Sequence, residues 1–121
     1  LPYIEGVSAV YLISFYKKNG KCPVVDYVLE KDPKHAGKIK YYFEMLEQKG
    51  PSLREPFVKK LTASGIYELR PSFARFEFRL LYFWRGKEAV FVHAADKKSD
   101  KLRKSDIETA ENRMKEIKGG L

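Results

Sequence analysis

A chain of 121 residues, 44% hydrophobic and 33% charged, has the makeup of an ordinary globular protein and is long enough for one core without disulfide or metal support. Its single cysteine, Cys22, excludes an internal disulfide and suits a reducing compartment, so with no signal-peptide layout the expected location is the cytoplasm. No apolar run approaches the roughly 20 residues of a membrane span, whereas a formal charge of +8 and a pI near 9.5 point to polyanionic partners.

The sequence begins at Leu1 rather than at methionine, and further residues are expected to precede it in the natural chain. Residues 9–17, AVYLISFYK, are β-branched and aromatic and predict a first strand, closed by the turn signal KNGK. CPVVDYVLEKD has a proline suited to a first helical turn, with Val24, Val25, Val28 and Leu29 on an apolar side. DPKHAGKIKYYFEMLEQKG predicts the clearest helix: Asp32 caps it, Pro33 opens it and Gly50 follows its last turn. Ala36, Ile39, Phe43 and Leu46 recur at helical spacing, while His35 falls on the outer, solvated side. The short link between the two helices implies an antiparallel helical hairpin.

Beyond GPSLREP the period changes to that of strands. FVKKL and GIYELR are short candidates and ARFEFRLLYFW a strong one. In the last, Phe76, Phe78, Leu80, Tyr82 and Trp84 share one face; Arg75, Glu77, Arg79, Leu81 and Phe83 share the other. The two-residue loop Gly86-Lys87 fits a hairpin to AVFVHAA, pairing Arg85 with Glu88, Arg79 with Ala94 and Leu80 with His93. That register puts Arg79 on an open face with Val90 and Val92, and His93 on the aromatic face with Leu80 and Tyr82. KSDIETAENRMKEI predicts a last helix, with Ser105 and Glu108 spaced as a capping box and Ile107, Ala110, Met114 and Ile117 facing the core. The expected architecture is one α+β domain over 1–121: an N-terminal strand and helical hairpin, a small antiparallel sheet, and a C-terminal helix.

Charge is concentrated. From Arg54 to Lys87, eight basic residues face three acidic ones, Glu55, Glu68 and Glu77, leaving about +5. A lysine-rich solvated surface would also give a basic chain, but not this clustering. No Ser-His-Asp set, glycine-rich phosphate loop or Cys/His metal spacing can be assembled, so neither metal nor cofactor is expected. What remains is Arg70, Arg79, Lys97 and Lys98, at strand ends or on neighbouring strands, able to converge on one rim of the sheet. Guanidinium groups grip phosphate through two parallel bonds and, in a dry site, stabilise the charge of a pentacoordinate phosphoryl transition state. Tyr67 and Phe73 are candidates for base stacking. The bland reading of His93 is a core or sheet-edge histidine bonded to backbone, and Cys22 reads as buried rather than nucleophilic.

GKCPVVDYVL, KKL followed by GIYELR, FRLLYF and VHAADKKSDKLRKSDIETAENRMKEI resemble the HigB-like branch of the RelE/ParE toxin superfamily, in matching order over roughly residues 10–118. The resemblance implies the RelE/ParE toxin-like α+β fold and a toxin of a type II toxin-antitoxin pair. It implies a ribosome-dependent mRNA endoribonuclease that acts in the ribosomal A site without metal or cofactor. There the ribose 2′-OH attacks the adjacent phosphate and the 5′-oxygen leaves. Carried over by position, Arg79 and Lys98 stabilise the transition state and leaving group, and Arg70 positions phosphate or activates the attacking group. Lys60, Lys97, Lys101, Arg103 and Lys104 are candidate RNA contacts, and His93 and Tyr82 candidate acid or base. Ala94-Ala95 stand where the family commonly has Gly-Phe, and no tyrosine follows Tyr82 where several relatives place one, so His93 or Lys104 is left to donate the proton.

The implied partners are a cognate antitoxin, acidic or helix-turn-helix, together with the ribosome and mRNA, and no membrane. Two other readings share the fold: a ParE-like DNA gyrase poison, and a degenerate basic module that binds RNA without turnover.

Overall fold

The structure, a computed structural model, describes residues 10–96 and 104–119. Strand β1 (Leu12–Phe15) leads into helices α1 (Pro23–Leu29) and α2 (Pro33–Lys49), followed by strands β2 (Val58–Lys60), β3 (Tyr67–Leu69), β4 (Ser72–Phe73), β5 (Phe76–Arg85) and β6 (Glu88–Asp96), and helix α3 (Lys104–Gly119). The sheet runs β1-β6-β5-β3-β2, with β4 paired to the start of β5. This is the expected α+β architecture with one difference. The sheet is mixed, because β1 lies parallel to β6. A parallel neighbour needs a long crossover, which the helical pair and the later strands supply.

β1 is shorter than the 9–17 predicted. Before it begins, the N–H groups of Val10 and Tyr11 both donate to the Glu47 carbonyl at 3.0 Å, satisfying an acceptor in the last turn of α2 instead of a sheet ladder. The KNGK turn forms as read, with Asn19 (φ 52°) and Gly20 (φ 76°) between paired Lys18 and Lys21. In α1 only Val24 is fully buried, and Leu29 is 76% exposed rather than on the apolar side. At about 100° per residue, Leu29 sits about 140° round the helix from Val24 and cannot share its face. α2 opens as predicted, with the Asp32 carboxylate accepting from the His35 N–H at 3.0 Å, and it buries Ile39, Tyr42 and Leu46. α3 is already helical at Lys104, so Ser105 lies inside the first turn and not at a cap, and Glu108 faces Lys104 at 4.0 Å.

Two apolar clusters sandwich the sheet. Under α1 and α2 lie Ile39, Leu46, Leu69, Leu80, Tyr82 and Phe91; under α3 lie Tyr16, Leu81, Phe83, Val90, Val92 and Met114. The β5–β6 hairpin turns at Gly86 (φ 60°) with Arg85 opposite Glu88, as expected. After four pairs the register slips. Leu81 faces His93 while Tyr82 faces Phe91, leaving Val92 as the extra residue of a bulge. Arg79 therefore lies opposite Ala95, not Ala94, and Leu80 opposite Ala94, not His93. His93 moves from the aromatic face to the α3 face.

Candidate functional site

The slip brings His93 of β6 to the face that already holds Glu68 of β3 and Arg79 of β5. Glu68 sits at the middle of β3 and pairs with Leu81, which in turn pairs with His93. One alternate position along β5 is Arg79, and just past the end of β3 is Arg70, whose N–H donates to the Phe57 carbonyl at 2.9 Å. Glu68 is wholly buried and Arg79 only 5% exposed. Burial of either charge alone is costly, and each answers the other: Arg79 Nη1 donates to Glu68 Oε2 at 2.6 Å. Arg70, with a side chain 28% exposed, brings Nε within 3.4 Å of Glu68 Oε1, close enough to attract but outside hydrogen-bond geometry. The cluster carries a net positive charge. Arg79 Nη2 is buried and makes no hydrogen bond within the structure, so one strong donor is left over.

Beside this cluster, His93 Nε2 lies 2.8 Å from Asp106 Oδ1, with both side chains largely covered. His93 is thus bonded to a carboxylate of α3 rather than to backbone. Arg113 from the same helix donates to the Val92 carbonyl at 2.7 Å, which pins α3 against the bulge.

Other candidates lie elsewhere. Tyr82 is 1% exposed on the opposite face, among Tyr67, Trp84 and Phe91. Burial, with a smaller contribution from Tyr67, pushes its phenol well above the ordinary tyrosine range. The structure does not bring it to the arginines, because alternation along β5 sends positions 79 and 82 to opposite sides. Tyr67 stacks on Tyr82 at 5.7 Å and Phe73 packs on His35 at 5.5 Å, so neither ring reaches the arginine cluster. His35 is not solvated as predicted: it packs between Phe73, Phe76 and Phe78 on the α2 face, and the two histidines do not meet. Lys60 pairs with Tyr67, stands 5.9 Å from its ring and lines a cleft of about 590 Å³ with Pro51, Arg54 and Lys59. Its neighbour Lys59 pairs with Glu68 and is the lysine on the arginine side. Lys104 is exposed at the first residue of α3. Lys97, Lys98, Lys101 and Arg103 lie outside the described residues, in the segment joining β6 to α3. Cys22 is half-buried and its thiol donates to the Tyr16 carbonyl at 3.4 Å.

Glu68, Lys59 and Asp106 were not picked out from the sequence. Glu68 had one legible signal: it alternates with Ile66 and Arg70 in GIYELR, which puts a carboxylate on the inward face of a short strand. Among the described residues no group of three or more His, Cys, Asp or Glu side chains is placed to hold a metal ion, and no described helix is long and apolar enough to cross a membrane.

Residues 26–115 match the family described as phage derived protein Gp49-like (DUF891). The chain belongs to this family. Gp49-like proteins fall within the RelE/HigB-type toxin group of toxin-antitoxin systems, and that membership suggests a cognate antitoxin as partner. The Gp49-like match spans α2, β2 to β6 and most of α3, so it includes Glu68, Arg70, Arg79, His93 and Asp106. No curated protein matches the chain.

Proposed function

We propose that this Gp49-like chain is a HigB-like toxin that cleaves mRNA on the ribosome, and that the face formed by β3, β5, β6 and α3 receives the scissile phosphate. The observation that carries the reading is the part-exposed Arg70 standing beside the buried Arg79, with Glu68 between the two guanidinium groups and orienting Arg79. A guanidinium already held in place needs no reorganisation when charge develops on phosphate, which is how preorganised donors lower a barrier. Lys98, on the segment that follows β6, completes the cation set, and Lys97, Lys101, Arg103 and Lys104 supply backbone contacts to RNA. In the reaction the ribose 2′-oxygen bonds to phosphorus and the bond from phosphorus to the 5′-oxygen breaks, leaving a 2′,3′-cyclic phosphate and a 5′-hydroxyl. The site of action would be the cytoplasm, where ribosomes translate, with residues 1–121 acting as one domain.

The test is primer extension on a reporter mRNA in a purified translation system, with and without ribosomes, comparing wild type, Arg70→Ala and Lys98→Ala. Discrete cuts that need ribosomes and weaken in both variants support the reading. Gyrase-dependent DNA breaks with intact mRNA would replace it with a gyrase poison. Two observations favour a non-catalytic alternative: Glu68 neutralises much of the charge of Arg79, and Tyr82 is withdrawn from the site. Salt-sensitive RNA binding with no cuts is its signature.

A further inference from the structure

Where a 2′-hydroxyl must lose its proton, an arginine is a poor acceptor, because it keeps its own proton at any working pH. Among the described residues on this face, His93 is the one whose side chain can take a proton near neutral pH. It lies across β5 from Leu81 while Arg79 lies across from Ala95, which makes His93 and Arg79 diagonal neighbours on one sheet face. Such neighbours stand about 7–8 Å apart at the backbone, within reach of two long side chains that share one phosphodiester.

We infer that Asp106 is the positioning residue that makes His93 a proton acceptor in this site, an inference that rests on the endonuclease reading above. An ionised carboxylate can only accept a hydrogen bond, so the 2.8 Å contact with Asp106 Oδ1 places an N–H on His93 Nε2 and leaves Nδ1 as the nitrogen that can accept a proton. His93 and Asp106 have side chains only 19% and 14% exposed, so water competes little for the contact. Two structural features hold the pair in register. The bulge at Val92 turns His93 to this face, and Arg113 ties α3 to the Val92 carbonyl. Asp106 lies in the first turn of α3, outside the strands, so the helix is needed to complete the site.

The step balances without a further reagent. His93 Nδ1 takes the proton of the 2′-hydroxyl as the bond from the 2′-oxygen to phosphorus forms. The bond from phosphorus to the 5′-oxygen breaks, the leaving oxygen takes a proton from water, and the imidazolium returns its proton to solvent.

The test combines two measurements on wild type, Asp106→Asn and Asp106→Glu. Nitrogen-15 NMR of the histidine side chains reads the His93 tautomer in the free protein, and steady-state cleavage of reporter mRNA on ribosomes reads kcat and KM. The expected result is an Nε2-protonated His93 in wild type, a mixed tautomer in Asp106→Asn, and a kcat for Asp106→Asn lower by at least about 10-fold with KM little changed. Asp106→Glu, which restores a carboxylate, should recover part of the rate. A thermal melt of each variant separates loss of fold from loss of alignment. If wild type cuts and Asp106→Asn, still folded, cuts equally well or keeps the tautomer, the inference is overturned while the endonuclease reading stands. If wild type cuts nothing on ribosomes, the reading falls and the inference falls with it.

Discussion

Arg79 and Glu68 meet at 2.6 Å on a sheet face where both are withdrawn from water. Such a pair stabilises little relative to apolar residues of the same size, yet removing one partner strands a buried charge. Arg79→Ala should therefore cost about 3–5 kcal/mol. The double replacement Glu68→Leu with Arg79→Met should return to within about 1 kcal/mol of wild type. Urea denaturation of the three proteins measures both. A mild Arg79→Ala phenotype would mean that the pair is not buried as described.

Arg70 tests function with less interference from folding. Its side chain is partly exposed and its contact with Glu68 is long, so Arg70→Ala should change stability by less than about 1 kcal/mol. If Arg70 binds the phosphate, ribosome-dependent cleavage should fall by about 100-fold or more. Full activity in a folded Arg70→Ala protein removes it from the site.

Tyr82 offers the opposite test. As a buried core ring facing away from the arginines, it should tolerate Tyr82→Phe with cleavage unchanged. A tyrosine acting as proton donor would instead lose about 100-fold or more. Rates of the two proteins on one reporter mRNA decide between these.

Gly50 ends α2 with φ at +55°, and a Cβ there would run into the ring of Tyr11. Gly50→Ala meets both the backbone penalty and the clash, and should lower stability by about 2–4 kcal/mol. Gly20→Ala, also at positive φ but with open space around it, should cost only about 1 kcal/mol. Equal losses for the two, by thermal or urea melts, would show that the Tyr11 ring is not where the structure has it.

Alkaline pH should unfold the protein through its tyrosines. Burial raises the phenol of Tyr27, helped by its hydrogen bond to Asp96, and burial raises that of Tyr82. Both are neutral when protonated, and both have folded values above the unfolded value of about 10. Their contribution is thus complete below about pH 10 and lost as pH rises through the folded values. Spectrophotometric titration should find tyrosines that ionise only with unfolding, and Tyr27→Phe should remove one of them.

Much of the architecture could be read in advance because local chemistry dictates it. Gly86 and strict alternation on either side define the β5–β6 hairpin, and Asp32, Pro33 and Gly50 delimit α2. The bulge at Val92 could not be read, since a run of small and β-branched residues accepts either register and only packing against both clusters selects one. That single residue decided the side on which His93 lies. His35 was misjudged for a related reason: its helical position faces outward from α2, but β4 and the start of β5 fold over it. Within the site, the arginines were legible from charge, whereas Glu68 and Asp106 gain their meaning only from partners in distant segments.

The parallel pairing of β1 with β6 has a kinetic consequence. β5 and β6 can zip together locally as soon as both exist, but β1 must wait for a partner near the far end of the chain. During synthesis the first strand and both helices emerge early with no edge to join, and Asp106 arrives later still. A chain released before α3 is made would carry the arginines and His93 without the carboxylate that orients the imidazole.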